Sequence, residues 1–323
     1  MNTRTLLLGS SAIAAVALVV AGCGGDGSGG GGLLKGAGDL ATAVTGDERY
    51  SEIGDTLART ITDYNDLLPS EEHYIGRAVA AQVLVEPRYP VRPADALTDY
   101  VALVGQNVAQ SVDFVRQTYK GYRFTVLESD ELNAFATPGG FVFITTGLLK
   151  QTRSEDELAG ILAHEIAHVT LKHGLSSVNQ SNFVQAGQLG LNLYKDEKFK
   201  DDPKKRAKFE EKLGEISKVF GKSCDEVAFT LLSGGYGADK ERAADELAIR
   251  LVAAAGYAPT ALSAVLDRLP EQKGAGGWLD THPSGHSRAA DLHGQEGGVA
   301  SATTPAAVAQ RTQRHAAALK ALQ

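Results

Sequence analysis

The chain has 323 residues, of which 43% are hydrophobic and 22% charged, enough apolar content to close a sizeable core and to exclude wholesale disorder. Lys and Arg total 32 against 39 Asp and Glu, a net charge of −7, and no dense basic stripe is visible, so no nucleic-acid partner is expected. Two cysteines cannot build a disulfide framework.

The first 22 residues read as a signal peptide. Arg4 supplies a positive start, Leu6 to Val20 an apolar run, and Val20-Ala21-Gly22-Cys23 small residues before a cysteine. The run falls short of the roughly 20 residues a spanning helix needs, which favours a cleaved leader over a permanent anchor. The pattern resembles a bacterial lipobox, which implies an acylated Cys23 as the mature N-terminus and a membrane tether. Residues 23–45, rich in glycine, read as a flexible linker between lipid and protein. Cys224, left without a partner, is expected to be buried and inert.

Residues 46–300 are expected to form one domain, followed by a helical tail over 301–323. Leu57, Ile61, Tyr64 and Leu68 recur at helical spacing, and a second stripe runs from Tyr74 to Leu84. A Pro-rich break from Glu86 to Pro93 precedes a third helix around Tyr100 to Val115. Tyr122, Phe124 and Val126 alternate with polar residues as in a strand. Leu132–Ala136 and Phe141–Thr145 flank Thr137-Pro138-Gly139-Gly140, a type II turn sequence that predicts a hairpin. Ser154 with Glu157 three residues on is a capping box, opening a helix that is expected to reach about His173. Asp202-Pro203 starts another, carrying Phe209, Leu213, Ile216 and Phe220, and Lys240–Ala255 a further one, stopped by Gly256 and Pro259. The composition of elements is α+β, mainly helical, with a small antiparallel sheet.

The chemistry concentrates in Leu158–Val169, LAGILAHEIAHV, where only His164, Glu165 and His168 are polar. A helix apolar on nearly all sides is buried, and two imidazoles and a carboxylate inside it cost several kcal/mol unless something satisfies them. His164 and His168 are one turn apart on one face, the geometry for gripping a single Zn²⁺, with Glu165 offset to reach water activated there. Two residues compete as third ligand. His173 lies five residues past His168, about 140° around a continued helix, and so points away. Glu241 shares a helix face with Asp245, so Glu241 can ligate while Asp245 accepts the second N–H of a ligand histidine.

Four stretches carry a family resemblance: LNAFATPGGFVFITTGLL (132–149), HEIAHVTLKH (164–173), ERAADELA (241–248) and THPSGHSR (281–288). Together they resemble the HtpX and prenyl-endopeptidase zinc metallopeptidases, and their soluble periplasmic lipoprotein branch in particular. The resemblance implies a zincin-like core with an active-site helix, one zinc held by His164, His168 and Glu241, Glu165 as general base, and peptide-bond hydrolysis. His282 is expected either to stabilise the transition state or to fill the metal's open position and hold the enzyme latent, with Arg288 orienting its loop. An extended, unfolded polypeptide is expected to pair with the edge strand at Asn133 and Ala134. The expected function is an envelope-located, lipid-anchored endopeptidase; the alternative is a mainly non-catalytic chaperone or assembly factor on the same fold.

Overall fold

The computed structural model describes residues 67, 69–177, 224, 227–269, 278, 282 and 285–322. The leader, Cys23, the glycine linker, the stripe of Leu57, Ile61, Tyr64 and Leu68, and the Asp202–Phe220 helix lie outside them. The chain divides into two compact units. One comprises residues 1–71 and 178–226; the other, 72–177 and 227–323, holds everything that follows, apart from the first residues of α1 and Cys224. Cys224 of the first unit is buried.

In chain order, helix α1 spans Pro69–Leu84 and α2 spans Ala96–Ala109. Asp95 caps α2, its carboxylate accepting from the Leu97 and Thr98 amides, while Thr98 Oγ1 accepts from the Asp95 amide. That box fixes the start four residues before Tyr100, and α2 ends at Ala109, short of the expected Val115. Strands β1 (Arg123–Leu127), β2 (Ala134–Thr137) and β3 (Phe141–Thr145) form a sheet of order β1-β3-β2. β2 and β3 are the expected hairpin: the Gly140 amide donates to the Thr137 carbonyl at 3.3 Å, and Gly139 takes φ +73°, which a type II turn requires at its third position. The sheet is mixed rather than antiparallel, because β1 runs parallel to the central strand β3, Arg123 opposite Phe141 through Leu127 opposite Thr145.

A short helix α3 (Thr146–Leu149) leads to α4 (Glu155–Thr170), the spine of the unit. Every residue of α4 from Glu155 to Val169 is buried, as the mostly apolar stretch Leu158–Val169 demands of the part after its acidic first turn. It packs against β2, α2, α5 (Ala238–Ala254) and α6 (Ala261–Leu266). Gly160 permits the last of these contacts, since a Cβ there would lie 2.9 Å from the Leu262 amide nitrogen. The capping box is half formed: Ser154 Oγ accepts from the Glu157 amide at 3.2 Å, but the Glu157 carboxylate accepts from the Arg153 amide at 2.7 Å instead of from Ser154. Arg268 draws it there, 2.5 Å away.

Helices α7 (Gly285–Glu296) and α8 (Pro305–Ala318) complete the fold. The latter clamps the start of α4. Arg314 grips Glu155 and Arg311 grips Asp156, each through two hydrogen bonds of 2.6–2.8 Å. His315, the one buried residue of α8, lies between the Tyr100 hydroxyl at 3.0 Å and Thr152 Oγ1 at 2.9 Å. Burial lowers the His315 pKa, against weaker opposing effects from the Thr152 carbonyl, Glu157 and Glu155.

A histidine held neutral in the fold contributes stability that is whole above its unfolded pKa and is lost as pH falls below it, about 6.5. Thermal unfolding should therefore drop more steeply between pH 7.5 and pH 5 in the native chain than in His315→Gln. Parallel losses in the two proteins would show that His315 has no part in acid sensitivity.

Candidate metal centre

The site is built on three segments: α4 brings His164, Glu165 and His168; α5 brings Glu241 and Asp245; the chain from Trp278 into α7 brings His282 and Arg288. Each of these side chains is buried. His164 and His168 project from one α4 face, their Nε2 atoms 2.9 Å apart. Glu241 reaches the same point from α5, with Oε2 3.4 Å from His164 Nε2 and Oε1 3.6 Å from His168 Nε2. His282 Nδ1 closes the group, 3.2 Å from His164 Nε2 and 2.9 Å from Glu241 Oε2.

These separations test whether zinc fits. A tetrahedral zinc with arms of about 2.0–2.1 Å separates its ligand atoms by about 3.3 Å. Five of the pairs, with Glu241 counted through either oxygen, lie at 2.9–3.6 Å, around that edge, and all four donors fall within 4.8 Å of one another. Three imidazoles and a carboxylate are also the donor chemistry that this metal takes.

The surroundings orient the donors. Asp245 Oδ1 lies 2.9 Å from His164 Nδ1, so the ring's far nitrogen is held and Nε2 faces Glu241. Arg288 holds Asp245 in turn through Nε at 2.7 Å and Nη2 at 2.6 Å, while its Nη1 donates to the His282 carbonyl at 3.3 Å and lies 3.2 Å from Glu241 Oε2. Burial raises the Asp245 and Glu241 pKa values, but Arg288 on the first and the His282 and His164 rings on the second outweigh it and keep both below the usual carboxylate range. Burial and Arg288 oppose charge on His164, yet the two carboxylates hold its pKa up at about 9. The two carboxylates favour positive charge at His164, while burial and the His164 charge push His168 the other way.

Two residues that the sequence did not single out, and one that it set aside, sit here as well. Trp278 donates through Nε1 to Glu165 Oε1 at 3.1 Å, and its amide donates to the Leu132 carbonyl, two residues before β2. Tyr236 stacks on His168, centroids 4.4 Å apart and planes 19° from parallel, with its hydroxyl buried and without a hydrogen-bond partner among the described residues. His173, expected to point away, instead turns its Nδ1 to within 2.9 Å of His168 Nδ1. The expectation assumed that the helix continues to His173, whereas α4 ends at Thr170 and the chain reverses. Burial and the Lys240 charge push the His173 pKa down to about 4, so it faces His168 as a neutral ring. The local signals were there: the one tryptophan of the chain lies four residues before His282, and Tyr236 five before Glu241.

β2 ends the sheet on one side among the described residues. The Thr145 amide donates to the Asn133 carbonyl at 2.9 Å, so alternation turns the main chain of Ala134 and Ala136 to the outer edge and that of Asn133 inward. The Asn133 side chain is buried too, donating to the Tyr89 hydroxyl at 3.0 Å.

Replacing Asp245 by alanine should weaken zinc binding about 10–100-fold, the usual effect of removing a ligand's hydrogen-bond partner, as measured by chelator competition. Affinity within twofold of the native protein would mean that His164 needs no such support.

Comparison with known proteins places these residues in a family. Residues 95–296, well over half of the chain, match peptidase family M48. The chain is 27% identical over 203 residues to the beta-barrel assembly-enhancing protease of Escherichia coli, covering 60% of this chain and 38% of that protein. The protein of the same name from Yersinia pestis is 29% identical over 122 residues, covering 38% and 23%. The mitochondrial metalloendopeptidase OMA1 of Arabidopsis thaliana is 26% identical over 173 residues, covering 52% and 31%. The chain thus spans well under half the length of these relatives. M48 metallopeptidases are zinc-dependent, and the donor set here is one able to bind such an ion. The matched span contains the whole metal cluster, and the chain belongs to peptidase family M48.

Proposed function

We propose that the protein is a zinc endopeptidase, tethered at the cell envelope through an acylated Cys23, that hydrolyses peptide bonds in unfolded or misassembled envelope proteins. The observation that carries this reading is the convergence of His164, His168, Glu241 and His282 on one point, with Glu165 beside them. The relatives' names, beta-barrel assembly-enhancing protease and mitochondrial metalloendopeptidase, support the reaction, and the first of them an envelope setting. Among the described residues no helix is long and apolar enough to cross a membrane, in keeping with a periplasmic lipoprotein branch of the family.

In this reading His164, His168 and Glu241 hold the zinc. Zinc supplies a Lewis acid that lowers the pKa of water to about 7 and polarises the scissile carbonyl. Glu165 accepts the proton of the attacking water and delivers it to the leaving amine. A stretched substrate pairs with the outer edge of β2, bonding the main chain of Ala134 and, in place of the expected Asn133, Ala136, both buried in the described conformation; such pairing selects extended conformation over sequence and spares folded proteins.

The described conformation supports the latent role for His282. Its Nδ1 stands where the fourth donor belongs and Trp278 holds Glu165, so the base and the open position are both engaged. Arg288 fastens this arrangement through the His282 carbonyl.

Digestion of unfolded casein by the protein lacking residues 1–23 tests the reading. Glu165→Gln should fall by about 10²–10⁴-fold, the usual contribution of a general base. Equal digestion by both proteins would remove Glu165 from the reaction and favour a non-catalytic holding role. His282→Ala should digest faster than the native protein; a slower variant would assign His282 to transition-state stabilisation instead.

A further inference from the structure

Lys172 is the only non-glycine residue with positive φ among the described residues, at +56°. It stands two residues past the end of α4, in the left-handed position that helix-terminating turns normally give to glycine. The hydrogen bonds there are those of a Schellman turn. The Lys172 amide donates to the Val169 carbonyl at 3.1 Å, and the His173 amide reaches back to the His168 carbonyl at 3.0 Å. Such turns usually bring an apolar side chain after the reversal against one in the last helical turn. Here the two positions that meet are His173 and His168, and what joins them is a polar contact, Nδ1 to Nδ1 at 2.9 Å.

We propose that His173 is a positioning residue for His168, delivered to it by the left-handed turn at Lys172. This rests on the reading of His168 as a zinc ligand. To ligate through Nε2, His168 must carry its proton on Nδ1, and that proton needs an acceptor in a buried site. The Nδ1 lone pair of His173 provides it, which fixes the His168 tautomer and ring plane together. Tyr236 holds the ring's flat face by stacking. The two zinc-binding histidines of α4 are then supported by different chemistry: His164 by a carboxylate from α5, His168 by a second imidazole from its own helix end. The strained residue is kept where it is because the turn serves the metal site. Lys172 is also held from its side chain, with Nζ 3.3 Å from Glu72 Oε1.

The test uses the full chain stripped of metal and retitrated with zinc against a chelator, with the cobalt-substituted protein's visible spectrum as a second readout. His173→Ala should weaken zinc binding about 10–100-fold and shift the cobalt bands, while thermal unfolding of the metal-free protein stays within a few degrees of native. His173→Gln, whose amide oxygen can accept the same proton, should recover part of the loss. Lys172→Val, which disfavours the left-handed turn without touching the imidazole, should weaken binding in the same direction, and Lys172→Gly should weaken it less than Lys172→Val. Native zinc affinity and an unshifted spectrum in His173→Ala would overturn the proposal. A native protein that binds no zinc would instead overturn the metal-site reading beneath it.

Discussion

The structure depends on an electrostatic debt inside α4. Fifteen consecutive residues of this helix, Glu155 to Val169, are buried, yet its middle carries two imidazoles and a carboxylate. Apolar packing sets the helix at the centre of the unit, and the same packing leaves its polar groups without water. Everything around the site answers that demand. Glu241 and Asp245 bring negative charge from α5, Arg288 balances it from α7, and a divalent cation completes the account. Without the cation, the nearest substitute is a proton on His164, whose pKa the two carboxylates hold up.

The far end of α4 is handled by the same logic. Its first turn is acidic, which suits the positive end of a helix, but Glu155, Asp156 and Glu157 are all buried. Arg314, Arg311 and Arg268 each supply the missing counter-charge, two of them from α8. The active-site helix is therefore gripped at its start by arginines and at its end by a reversed turn, leaving its two histidines little freedom to drift. A site that must hold donor atoms about 3.3 Å apart for a tetrahedral ion gains from that rigidity.

Much of this could be read along the chain, because the signals were local. His164, Glu165 and His168 lie within one turn and a half of an apolar helix, the Thr137–Gly140 turn declares its hairpin, and Glu241 with Asp245 marks a second helix face. The rest depends on where elements end and how distant ones meet. His173 was placed on a helix that stops three residues earlier, and nothing in Leu171-Lys172 announces a left-handed turn, since lysine is not the residue that favours one. The parallel pairing of β1 with β3 is a tertiary choice that alternation in either strand leaves open. Trp278 and Tyr236 enter the site through tertiary contacts, from positions that carry no metal-ligand spacing.

The central claim, that four side chains from three segments converge on one zinc, is tested most directly by X-ray absorption at the zinc edge on the metal-loaded native protein. The account predicts a single nitrogen- and oxygen-only shell of four atoms at about 2.0–2.1 Å, with outer scattering from three imidazoles. A sulfur neighbour, or outer scattering from fewer than three imidazoles, would contradict it.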